Sequence, residues 1–106
     1  MTDKRIVLST ASSEDEARKI ALHLVEQQLA ACVNIVPHIE SIYRWKEKIE
    51  TGNETLVFFK LSEDRQPAFQ EKLKSLHSYE IPEIIFLPII GGLPDYLGWV
   101  IENCEG

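Results

Sequence analysis

Three features of this sequence predict an α+β sandwich, with one antiparallel four-stranded sheet carrying two helices on a single face. Apolar and amphipathic stretches follow the order β-α-β-β-α-β, with a further short helix at the C-terminal end. The two βαβ halves are similar in length and meet in a hairpin, the layout of a split βαβ unit. That hairpin, from Ile39 to Leu61, is long enough to overhang its own core.

Lys4 to Ser9 reads as a short apolar strand. Ser13-Glu14-Asp15-Glu16 has the form of a capping box, with Ser13 capping the N3 amide and Glu16 reaching back. Behind it Ala17, Ile20, Ala21, Leu24 and Val25 form one helical stripe, and His23 falls off that stripe as an exposed residue. Cys32 to Val36 is a second strand, interrupted by Pro37, which marks an edge, bend or bulge because it cannot donate to a ladder.

The chain then alternates. Ile39, Tyr43, Trp45 and Ile49 are apolar, whereas Glu40, Arg44, Lys46, Lys48 and Glu50 are charged, the period of a half-buried strand. Thr51-Gly52-Asn53-Glu54 is the expected turn, with Gly52 supplying positive φ. The return arm is apolar on both faces, Leu56 and Phe58 on one and Val57, Phe59 and Leu61 on the other, as in a covered central strand. Asp64 is expected to cap a second helix with Pro67 in its first turn and a stripe of Phe69, Leu73 and Leu76. Ile84 to Ile90 forms the fourth strand, Gly91-Gly92 ends it, and Asp95 to Asn103 forms the terminal helix. This order is that of a ferredoxin-like sandwich, and right-handed crossovers leave few other topologies.

At about 3.3 Å per residue, a strand from Ile39 to Ile49 spans roughly 36 Å. A chain of this size has a radius of gyration near 13 Å. The tip, with Tyr43 and Trp45, therefore lies beyond its own core, and a second copy of the chain is the expected cover.

The 106 residues, 44% of them apolar, fit one domain over residues 1–106. A formal charge of −6 with scattered lysines argues against nucleic acid, which needs a clustered basic face. Cys32 and Cys104 form no CxxC or disulfide framework and read as small, inert hydrophobes. Neither a signal-length apolar N-terminus nor an apolar run of membrane-spanning length is present, so a soluble, cytoplasmic protein without a membrane partner is expected.

Motifs for chemistry are missing: there is no GxSxG, P-loop, HExxH or GxGxxG, and His23, His38 and His77 lack ligand spacing. A non-enzymatic role is expected. The stretch Leu76-His77-Ser78-Tyr79-Glu80-Ile81-Pro82-Glu83, a helix end and loop leading into a strand, is where binding residues gather. His77 either stabilises the helix end through its dipole or ligates copper or zinc. Tyr79 and Glu83 are its candidate neighbours. Lys60, the sole charge in a central strand, either snorkels or pairs with a carboxylate such as Glu83, pairing being preferred. Trp45 and Trp99 suit interfaces, with packing as the first reading.

The strings LAACVNIVP, SIYRWKEKIE, LHSYEIPEIIFLPI and DYLGWV, in this order and spacing, resemble the CutA family of divalent-ion tolerance proteins over nearly the whole chain. That resemblance implies a ferredoxin-like homotrimer with long hairpins paired between subunits. It also implies tolerance to copper and other divalent cations, with no obligatory cofactor but Cu²⁺ or another divalent ion as ligand. Copper-binding members carry a cysteine at the end of the first strand, where this chain has Ser9. Their histidine corresponds to His77, aided here by Glu83, leaving imidazole, carboxylate and water as a weak site. One rival resembles the trimeric nitrogen-regulatory PII proteins, with Trp45, Lys60 and Tyr79 lining a cleft for a small anionic effector. Another resembles acylphosphatase, whose phosphate loop Ser9-Thr10-Ala11-Ser12-Ser13 does not supply. A structural trimer with incidental metal binding is the plainest alternative.

Overall fold

The computed structural model describes residues 3–105; Met1, Thr2 and Gly106 of the expected 1–106 domain lie outside the described residues. The chain runs β1 (Lys4–Ala11), α1 (Glu14–Glu26), β2 (Cys32–Trp45), β3 (Lys48–Ser62), a 3-10 turn (Glu63–Arg65), α2 (Gln66–Leu76), β4 (Ile85–Pro88) and α3 (Pro94–Glu102). All strand pairs are antiparallel, in the order β2-β3-β1-β4 expected of the ferredoxin-like sandwich. Among the described residues no helix is long and apolar enough to cross a membrane.

Alternation along the two central strands sorts the core. Val7, Val57, Phe59 and Leu61 are buried together with Ile20 and Leu24 of α1 and Leu73 of α2. Phe69 of α2 meets Phe59 edge-on at 4.9 Å between ring centroids, a favoured aromatic geometry. Val100 and the buried Cys104 join this cluster from the C-terminal end, and burial raises the Cys104 thiol above its ordinary range. The other face, with Ile6, Leu8, Leu56 and Phe58, is only half-buried, and Ile85 and Leu87 on β4 are exposed.

The hairpin tip is not where Gly52 suggested. Trp45 pairs with Lys48, so the turn is Lys46-Glu47, with φ of 50° and 68°. Positive φ at both central residues is the requirement of a two-residue type I′ turn. Gly52 instead lies within β3 opposite Ser41. Register decides this: a turn at Gly52-Asn53 would set Lys46 opposite Phe59, whereas the actual register sets Val33 there and Ile35 opposite Val57. A bulge between Val36 and Ile39, with His38 at φ 60°, accommodates Pro37.

Smaller expectations also shift. Asp64 does not cap α2; it lies in the 3-10 turn and accepts from Ser62 Oγ, while Pro67 occupies the first turn of α2 as expected. The fourth strand keeps only the four residues that pair with β1. Val25 is 39% exposed. His23 is half-buried with its Nε2 unpartnered, and Cys32 is half-buried rather than a core residue. The overhang is real: the molecule measures 44 × 25 × 22 Å, and Ile42, Tyr43 and Ile49 on the arm are exposed.

Candidate functional site

Where the arm leaves the body, it and the loop after α2 enclose a cleft of about 690 Å³. Tyr43 and Trp45 come from β2, Glu54 from β3, Thr10 from β1, and Tyr79 and Glu83 from the loop. Strand register puts Thr10, Tyr43, Trp45 and Glu54 on one face of the sheet, the half-buried one. Three of the expected ligand-binding residues, Trp45, Tyr79 and Glu83, therefore meet here.

Lys60 does not join them. Its Nζ donates to Asn34 Oδ1 at 2.5 Å and lies 4.0 Å from Cys32 Sγ, at the opposite end of β3 from the arm. The expected pairing with Glu83 is replaced by this amide, because Cys32 lies directly opposite Lys60 and Asn34 diagonally across the strand pair.

The loop is tied to the body by His77 and Glu16. The Tyr79 backbone N–H donates to His77 Nδ1 at 3.1 Å, which fixes that nitrogen as the acceptor. The proton therefore sits on Nε2, which donates to the Thr10 carbonyl at 2.6 Å. Only 1% of the His77 side chain is exposed. As the chain stands, both ring nitrogens hold the loop, and a cation would reach Nδ1 only by displacing the Tyr79 amide.

Ser13 caps the Glu16 amide of α1 as expected, at 3.1 Å. The Glu16 carboxylate, however, accepts from Ser12 N at 2.9 Å and Ser12 Oγ at 2.8 Å, and from Ser78 N at 2.9 Å, rather than returning to Ser13. Burial alone would raise this carboxyl; the hydrogen bonds from Ser78 and Ser12 outweigh burial and lower it to about 2. Tyr79 O–H donates to Glu54 Oε2 at 2.5 Å. Burial, followed by that bond and the Glu54 charge, pushes the phenol well above its ordinary value, so it remains a donor throughout the physiological range.

Ser9 faces the opposite side of the sheet from the cleft, 2% exposed, beside a small space of about 10 Å³ shared with His77 and Leu73. That is room for about one water at most. Among the described residues no group of three or more His, Cys, Asp or Glu is placed to hold a metal ion. Sequence reasoning missed Glu54, Thr10 and Glu16 as parts of this region. Glu16 was visible only as a helix cap, and Glu54 only as a turn residue.

The family model for the CutA1 divalent ion tolerance protein matches residues 5–103. A divalent-cation tolerance protein CutA of Thermus thermophilus is 47% identical over 100 residues, covering 94% of this chain and 97% of that protein. Protein CutA of Mus musculus is 47% identical over 96 residues; the match covers 91% of this chain but only 54% of the mouse protein, so the chain spans about half its length. The solved structure of the divalent cation tolerance protein (Cut A1) from Thermus thermophilus superposes with a TM-score of 0.94 at 46% identity, covering 96% of this chain and 99% of that one. These matches extend across the sheet, the arm and the loop that encloses the cleft, and the chain belongs to the CutA1 divalent ion tolerance family.

Proposed function

We propose that this chain serves divalent-cation tolerance without being an enzyme, as a homotrimer that binds divalent ions such as Cu²⁺ weakly in the cleft beside the arm. The observation that carries this reading is the lining: Glu54, Glu80 and Glu83 face the space, and no lysine, arginine or histidine does among the described residues. Carboxylates are hard donors, and a loose set of them without a thiolate gives modest affinity and little selectivity. Family membership supports the role, since relatives carry divalent-cation tolerance in their names.

Self-association is supported by the exposed Ile42 and Ile49, by the half-covered sheet face and by β2 as an edge strand along its whole length. The three-fold count follows from the family resemblance. The anionic-effector reading loses support, because Lys60 stands outside the cleft and the lining is acidic.

Calorimetric titration of Cu²⁺ into wild type, the Glu54→Gln/Glu83→Gln double variant and His77→Gln tests the assignment. The double variant should weaken binding at least several-fold, while His77→Gln should lower thermal stability and leave metal affinity nearly unchanged. Equal isotherms for wild type and the double variant would remove the cleft carboxylates from the account. Loss of binding only in a folded His77→Gln would make its imidazole the ligand.

A further inference from the structure

We infer that the loop after α2 is a strut that sets the angle of the arm, with Tyr79 as its positioning residue. β1 stays paired with β3 only as far as Thr55, which lies opposite Ala11. From Glu54 outward the arm is a two-stranded ribbon of β2 and β3 alone. The bulge falls at the same level. Val36 pairs with Leu56 and Ile39 with Glu54, so Pro37 and His38 together oppose Thr55. Bulges bend and twist the strand that carries them. A ribbon that leaves its sheet at such a point pivots unless something holds it.

Tyr79 supplies the hold. Its hydroxyl donates to Oε2 of Glu54, the first β3 residue past the last β1 pair. Among the described residues this is the one side-chain hydrogen bond or ion pair that joins arm residues 39–54 to the body. Tyr79 is itself fixed: its N–H donates to His77 Nδ1, and its ring lies 4.6 Å from the His77 ring. His77 in turn donates to the Thr10 carbonyl, and the neighbouring Ser78 N–H is held by Glu16 of α1. The strut therefore runs from α1 and β1 through the loop to the arm, within one chain. The other polar contact at the bulge, His38 Nε2 3.9 Å from Glu14 Oε2, is an exposed pair of little worth. An arm held at one angle presents its exposed Ile42 and Ile49 to a second copy in one orientation. A pivoting arm does so for only a fraction of the time, and apparent affinity falls by that fraction. This consequence rests on the self-association proposed above; the strut itself does not.

Two measurements test this, on variants checked for folding by circular dichroism. The first is pulsed electron–electron double resonance between nitroxides at Lys48→Cys on the arm and Lys74→Cys on α2, in a Cys32→Ser/Cys104→Ala background. Labelled chains are diluted into excess unlabelled chains, so that only distances within a chain are read. The second is sedimentation equilibrium of the unlabelled variants. Tyr79→Phe and Glu54→Ala should each broaden the arm–body distances, and each should raise the dissociation constant between copies by about two- to tenfold, the net worth of one hydrogen bond. The two together should do no more than either alone. Glu54→Gln, whose amide oxygen still accepts, should match wild type in both measurements. So should His38→Asn, which keeps a residue suited to positive φ. Distances and dissociation constant both unchanged in Tyr79→Phe would overturn the inference. Additive effects of Tyr79→Phe and Glu54→Ala, or effects confined to His38→Asn, would overturn it too. In a wild type that stays monomeric the distances alone decide, so failure of self-association and failure of the strut give different results.

Discussion

The two halves of the long hairpin use the same strands and the same pairing, yet they are held by different forces. At the base, Val33 and Ile35 lie opposite Phe59 and Val57, and these side chains pack against the helices. Toward the tip, Tyr43 and Trp45 lie opposite Glu50 and Lys48, and Arg44 opposite Ile49, with no helix to cover either face. A two-stranded hairpin alone is marginal in water. The base is thus stabilised by burial within one chain, whereas the arm has ladder hydrogen bonds, cross-strand pairs and apolar groups exposed on both faces. The same contrast places the cleft, which opens where covered strand becomes uncovered strand.

Truncation should separate the halves most strongly. Phe59→Ala, at 1% exposure and in contact with Phe69, should destabilise the chain by about 3–5 kcal/mol in denaturant unfolding. Ile42→Ala on the arm, 68% exposed in the single chain, should leave the dissociated chain within about 0.5 kcal/mol of wild type. Its effect should appear in the self-association constant instead. Comparable losses of chain stability at both positions would break the distinction.

Next in size is the tie between body and loop. Glu16→Ala removes the acceptor for Ser12 and Ser78 and should lower stability by about 1–3 kcal/mol at neutral pH. A carboxyl held at about 2, below an ordinary 4.5, contributes stability fully above pH 4.5 and loses it as pH falls toward 2. Wild type and variant should therefore converge in stability across that window. A gap that persists at pH 2 would place the effect in packing rather than charge.

The smallest effect tests the tip. Replacing Lys46-Glu47 by Asn-Gly, the preferred type I′ pair, should stabilise the arm by about 0.5–1 kcal/mol, because the native residues occupy positive φ. Destabilisation would place the turn elsewhere.

Much of the body was legible in the sequence because its signals are local. The alternation of Val57, Phe59 and Leu61 against Leu56 and Phe58 assigned the two sheet faces correctly, and Ser13 was placed correctly as a cap. The turn was misplaced because Gly52 is the residue best suited to positive φ, while the register is set far away by Val33 and Ile35. A local signal was present: Lys46-Glu47-Lys48 interrupts the alternation with three consecutive charges. The cleft was half legible. Trp45, Tyr79 and Glu83 drew notice by residue type, but Glu54 and Thr10 reach the site only through strand pairing, and Lys60 leaves it because Asn34 lies beside it across the sheet.

Sedimentation equilibrium of the wild-type chain at micromolar concentration tests most directly whether the arm and the open sheet face are completed by other copies. The account predicts a single species at three times the chain mass of 12.1 kDa. A stable, fully folded monomer at that concentration would contradict it.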